Sequence, residues 1–112
     1  MRVVVRFEES SRAALARWRL TLAPDAVAQA ALAGVYMDEL KKRLIAFGGF
    51  PSGSLVIPGT TPLLHWAELA GNMWVSYIIE DSGRLFRRSR TIRVIECEPL
   101  PPSSAIPASP PT

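Results

Sequence analysis

Residues 73–95 read Met73-Trp74-Val75-Ser76-Tyr77-Ile78-Ile79-Glu80, Asp81-Ser82-Gly83, then Arg84-Leu85-Phe86-Arg87-Arg88-Ser89-Arg90-Thr91-Ile92-Arg93-Val94-Ile95. A run rich in β-branched and aromatic side chains, a polar Asp-Ser-Gly step and a second β-rich run together predict two antiparallel strands joined by a tight turn. A further strand is expected upstream over 63–68, set off by Ala70-Gly71-Asn72. The second half of the chain therefore predicts a three-stranded antiparallel meander over 63–68, 73–80 and 84–98. Strict alternation puts Met73, Val75, Tyr77 and Ile79 on one face and Trp74, Ser76 and Ile78 on the other.

Working outward, Met1-Arg2-Val3-Val4-Val5-Arg6-Phe7 alternates Val3, Val5 and Phe7 against Arg2, Arg6 and Glu8, which predicts a first strand. Glu8-Glu9-Ser10-Ser11 then leads into Ala13, Ala14, Leu15, Ala16 and Trp18, so either serine is placed to cap a short helix ending near Leu20. A longer helix follows. Pro24 suits its first position, Ala30, Ala33, Met37, Leu40, Leu44 and Phe47 recur at alternating three and four, and Gly48-Gly49 stops it. Opposite that stripe lie Asp38, Lys41, Lys42 and Arg43. Strand, helix, helix and three strands predict an α+β fold with a two-helix hairpin packed on the sheet.

The chain has 112 residues, a single-domain length, and its 48% hydrophobic and 21% charged content excludes a disordered chain. The start carries no apolar secretion segment and no apolar run reaches about 18 residues, so a cytoplasmic protein with no membrane partner is expected. One cysteine and one histidine cannot build a four-ligand zinc site, so neither a metal nor another cofactor is expected. Glu96 and Glu98 flank Cys97 and disfavour its thiolate, so it reads as a structural strand residue. The glycines of 48–54 lack the lysine and spacing of a phosphate-binding loop, which excludes a nucleoside triphosphatase.

The spacer 49–62 holds the apolar island Leu55-Val56-Ile57, which reads as a short edge strand. Residues 99–112 carry six of the ten prolines, a composition that predicts a disordered tail outside the sheet, with residues 1–98 forming the domain.

The net charge is +3, and 11 of the 13 cations are arginines. Residues 84–93 concentrate five of them with no acid. Arginine presents a planar fork of donors that stays charged, which suits phosphate. Alternation splits the five between faces, Arg84, Arg88 and Arg90 against Arg87 and Arg93, so a bulge near Ser89 or an exposed hairpin tip is needed for them to cooperate. A nucleic-acid surface and a charge-blunted edge strand both fit this run. Lys41, Lys42 and Arg43 fit a second phosphate contact or a helix-end charge cluster. Trp74, on the face opposite Tyr77, fits base stacking, a partner helix or simple coverage. His65 beside Trp66 fits a proton-transfer group or a satisfied core histidine.

The stretch Val3 to Glu8 followed by Ala13-Ala14-Leu15, and Trp74 to Asp81 followed by Arg84 and Ile92-Arg93-Val94-Ile95, resemble the opening and the closing hairpin of RelE/ParE-type toxins. The likeness covers about residues 1–98. It implies an α+β domain with one strand, a helical hairpin and a three-stranded antiparallel run. It further implies the toxin of a bacterial type II toxin–antitoxin system, an RNA-binding endoribonuclease that cleaves mRNA, ribosome-bound or free, and is paired with a cognate acidic antitoxin.

Tyr77, which the resemblance matches to the family's tyrosine, and His65 and Arg90, which the chain itself offers for proton transfer and phosphate holding, are the catalytic candidates. Arg84, Arg87, Arg88, Arg93, Lys41, Lys42, Arg43 and Trp74 are the nucleic-acid-binding ones. The family carries an arginine three residues before the tyrosine matched by Tyr77, where this chain has Trp74. Two alternatives stay open: the same build acting without catalysis on a host protein such as gyrase, and a non-toxic accessory domain.

Overall fold

A computed structural model describes residues 1–21, 25–70 and 73–109. The chain is α+β, with β1 (Arg2–Phe7), α1 (Glu9–Thr21), α2 (Ala26–Ala46), β2 (Leu55–Ile57), β3 (Leu64–Ala70), β4 (Met73–Ser82), β5 (Ser89–Glu98) and β6 (Ile106–Pro107). A single 3-10 turn covers Leu85–Arg87. The strands form one mixed sheet in the order β1-β5-β4-β3-β2-β6. The expected first strand, three-stranded antiparallel run and short strand at 55–57 are present among the described residues, and β6 is the strand the sequence reading did not expect. β3, β4 and β5 are antiparallel neighbours, β1 lies parallel to β5, and β2 and β6 extend the opposite side.

One face of this sheet is backed by both helices. Val5, Ile92, Val94, Val75, Tyr77, Ala67 and Leu69 meet Leu15, Trp18, Ala33, Leu40 and Leu44 in a single core. The 3.6-residue period of α2 turns Ala33, Leu40 and Leu44 inward with no exposure, and Met37 packs beside them. Phe47 departs from the expected stripe. It sits in the turn after α2 and is largely exposed.

Neither serine caps α1, contrary to expectation. Ser11 lies within α1 and donates to the Glu8 carbonyl at 2.7 Å, and Ser10 donates to the Ile95 carbonyl at 2.5 Å. The second bond depends on a bulge. Between Ser76 and Tyr77 the pairing jumps from Ser76↔Glu96 to Tyr77↔Val94, leaving Ile95 as the extra residue that bends β5 toward α1.

The sheet's edges are managed by composition. β1 carries exposed Arg2 and Arg6, and charge on an edge discourages pairing with another chain. At the far edge the expected exclusion of 99–112 from the sheet is corrected for Ile106–Pro107. These two residues pair antiparallel with β2, and Ala108 N–H donates to the Ser54 carbonyl at 2.9 Å. Proline lacks a ladder donor, so it is tolerated where the outer side of a strand faces solvent. Leu55–Ile57 is a strand as expected but lies inside β6, not at the edge. The expectations at Pro24, at the Ala30 side chain, for the Gly71-Asn72 turn and for residues 110–112 lie outside the described residues.

Candidate nucleic-acid interface

β4 and β5 stay paired out to Ser82↔Ser89, where the two hydroxyls meet at 2.8 Å. Beyond them the chain turns through residues 83–88, so the strand expected over 84–98 begins at Ser89. Arg84, Arg87 and Arg88 thereby belong to an exposed tip and escape the alternation that would have divided them. Gly83 makes the tip feasible. Its φ is +89°, and a Cβ there would lie 2.0 Å from the Arg87 carbonyl oxygen. The Arg87 N–H donates to the Arg84 carbonyl at 2.9 Å, and Arg2 N–H donates to the Arg88 carbonyl at 3.1 Å, which ties the tip to β1. Phe86 stands at the crest, fully exposed.

The other two arginines of the run are used differently. Arg90 grips Asp81 through Nε–Oδ1 at 2.6 Å and Nη2–Oδ2 at 2.8 Å, while Nη1 donates to the Gly48 carbonyl at 2.8 Å. Hydrogen bonding from Arg90 holds the Asp81 carboxyl below its ordinary value. Arg93 lies on the opposite sheet face and bridges Glu8 at 2.6 Å and Glu80 at 2.7 Å, bonds that raise its already high basicity. Arg90 and Arg93 thus fasten β5 to its surroundings. Among the described residues, no ion pair engages Arg84, Arg87 or Arg88.

Tyr77, His65 and Arg90 converge on one feature, the glycine turn after α2. The Tyr77 hydroxyl donates to the Gly49 carbonyl at 2.7 Å, one residue from the carbonyl that Arg90 holds. Tyr77 is completely buried, and burial raises its phenol well above the ordinary range, with the Ser54 side chain acting in the opposite sense. Gly49 is required at the turn because its φ is +95° and a Cβ would come within 2.7 Å of Ile79 Cδ1. His65 pairs with Tyr77 across β3 and β4, stacks on its ring at 5.3 Å between centroids, and meets Phe50 edge-on at 5.4 Å. Burial lowers the His65 pKa and keeps the imidazole neutral at pH 7.

The remaining sequence candidates lie elsewhere. Trp74 is half-buried between Glu68 and Glu98 on neighbouring strands, eight residues and so roughly 26 Å along β4 from Ser82. Lys41 and Lys42 are exposed on α2, while Arg43 donates to the Glu68 carbonyl at 2.8 Å, near the Trp74 end of the sheet. Trp74 and Arg43 therefore lie away from the hairpin tip. Cys97 is pushed up to about 12 by burial and by Glu96, as expected of a structural thiol.

Sequence reasoning missed Phe86, whose signal is an aromatic inside a glycine-led basic turn. It also missed the acids Glu8, Glu80 and Asp81, which claim two of the five arginines. Chemically, the tip offers guanidinium forks for phosphate and an aromatic face for a base, the pairing that single-stranded nucleic acid recognition uses. Among the described residues, no helix is long and apolar enough to cross a membrane, and no cluster of three metal-ligating side chains occurs. Comparison of the chain with family models, with curated proteins and with solved structures finds no match.

Proposed function

We propose that this chain contacts RNA through the β4–β5 hairpin tip, as an endoribonucleolytic toxin of RelE/ParE-like build partnered by an acidic antitoxin. One observation carries the reading: Arg84, Arg87 and Arg88 share an exposed turn with a fully exposed Phe86, and none of them is held in an ion pair among the described residues, Asp81 acting on Arg88 only through space. A basic turn crowned by an aromatic ring gains affinity from phosphate neutralisation and from stacking, two terms that act on the same ligand. An acidic antitoxin segment laid over this tip would neutralise it by the same charges.

A second reading, the same build acting on a host protein without cleavage, is favoured by the commitments around the glycine turn. The Tyr77 hydroxyl is committed as a donor to the Gly49 carbonyl, and Arg90 is occupied by Asp81 and Gly48. Induced expression in a bacterial host, with primer extension on cellular messages, separates the two. The proposal expects growth arrest with discrete cleavages, both lost in an Arg84→Ala, Arg87→Ala, Arg88→Ala variant. Arrest without cleavage supports the second reading, and unimpeded growth overturns both.

A further inference from the structure

A cleft of about 400 Å3 lies on the helix-backed face of the sheet, beyond the glycine turn. Its size falls in the range of about 300–1,000 Å3 usual for small-ligand sites. Phe50, Val56, Leu63 and Ile79 supply apolar walls, and His65 contributes its ring. At the rim stands the Asp81–Arg90 pair, which also borders a smaller cleft of about 200 Å3 at the hairpin tip, beside Met1, Arg88 and Ser89. A single ion pair is therefore the shared wall between an apolar cleft and a basic one. A ligand spanning both would carry a flat, largely apolar body on one side and an anionic group on the other.

His65 narrows the chemistry of that body. The residue is 4% exposed, and its Nδ1 is enclosed with no hydrogen-bond partner among the described residues. With Nδ1 enclosed, Nε2 is the ring nitrogen left to meet a ligand, and a neutral ring protonated there donates a hydrogen bond. Phe50 stands edge-on to this ring, so the cleft joins an aromatic wall to a hydrogen-bond donor. A planar ring with acceptor atoms on its edge is the complement.

We infer that this cleft receives one unstacked nucleobase of the RNA whose phosphates lie on Arg84, Arg87 and Arg88. The inference rests on the RNA reading above, and it gives His65 a recognition role on the base edge. Asp81 and Arg90 fix the boundary between base and phosphate, because their mutual pairing holds both side chains at the common rim.

The chain has a single histidine, so the imidazole signals in an NMR spectrum of these 112 residues belong to His65 alone. Titration with nucleoside 5′-monophosphates should shift those signals saturably, whereas ribose 5-phosphate, which has no base, should leave them in place. Leu63 lies on the cleft wall, is 43% exposed and precedes β3, so Leu63→Trp fills the cleft without disturbing the core. That variant should weaken nucleotide binding by about tenfold or more while its thermal transition stays cooperative. A Val35→Trp exchange on the exposed side of α2, outside the cleft wall, should retain binding and control for the added indole.

Nucleotides that leave His65 unmoved would overturn the pocket, whether or not RNA binds. Salt-sensitive RNA binding with a silent His65 would preserve the tip and remove the pocket. Saturable His65 shifts with nucleotides, but no binding of single-stranded RNA, would support the pocket and remove the RNA reading.

Discussion

Replacing Tyr77 by phenylalanine should destabilise the protein while leaving its surface unchanged. The ring stays, so no cavity opens in the core that it shares with Val75, Ile92 and Val94. What disappears is a buried 2.7 Å bond from the hydroxyl to the Gly49 carbonyl, formed across 28 residues. A net hydrogen bond contributes about 1 kcal/mol, and a buried acceptor left unpaired costs about 1–3 kcal/mol, so a loss of about 1–3 kcal/mol is expected.

For a domain of this size that corresponds to a fall of roughly 5–15 °C in the thermal midpoint. The same bond anchors the turn whose neighbouring carbonyl holds Arg90, so loosening it should also raise amide exchange at residues 47–50. Urea denaturation followed by tryptophan fluorescence, with calorimetry alongside, measures the loss directly. A Tyr77→Phe protein with the wild-type midpoint but no cleavage of RNA per folded molecule would refute this reasoning, because the hydroxyl would then be reacting chemistry and not a clasp.

Other consequences follow from particular residues. Burial depresses the His65 pKa below its ordinary 6.5, so the unfolded chain takes up a proton that the folded one resists. That contribution is intact above pH 6.5 and is lost as pH falls, so urea midpoints measured from pH 7.5 to 5 should decline, and His65→Phe should flatten the decline. The Asp81–Arg90 contribution is likewise lost on acidification, but only below the ordinary aspartate value of 3.8, so extending the series below pH 3.8 separates the two. Gly83→Ala forces a Cβ against the Arg87 carbonyl at a positive φ and should displace the 3-10 turn, weakening RNA binding in a titration and lowering the thermal midpoint by several degrees. Truncation after Ser104 removes β6 and bares β2, so light scattering should show concentration-dependent association absent from the full chain.

The fold was legible where residues obey a single period. Val3, Val5 and Phe7 mark β1, the stripe Ala33-Leu40-Leu44 marks α2, and the β-rich run from Met73 marks β4. Features that depend on distant partners were not legible. Ile106–Pro107 joins the sheet only because β2 leaves a pairing edge, and nothing in a proline-rich stretch announces such a neighbour. The bulge at Ile95 arises where β5 bends to meet Ser10, a contact between residues 85 apart.

The basic run shows the same limit at the candidate site. Its five arginines look equivalent in order, yet Glu8, Glu80 and Asp81 claim two of them, and Gly83 lifts the other three onto a turn. Composition located the charge, and only the pairing of strands reveals which charges remain for a ligand.

The most direct test of the RNA-contact account is the salt dependence of binding to a short single-stranded RNA, comparing the wild type with the Arg84→Ala, Arg87→Ala, Arg88→Ala variant. Each phosphate contact to a single strand contributes a slope of about 0.7 in log affinity against log salt, so removing three should flatten the slope by about 2. The account predicts that flattening with a large loss of affinity at low salt, while Lys41→Ala with Lys42→Ala leaves both nearly unchanged. An unaltered slope and affinity in the triple variant would contradict it.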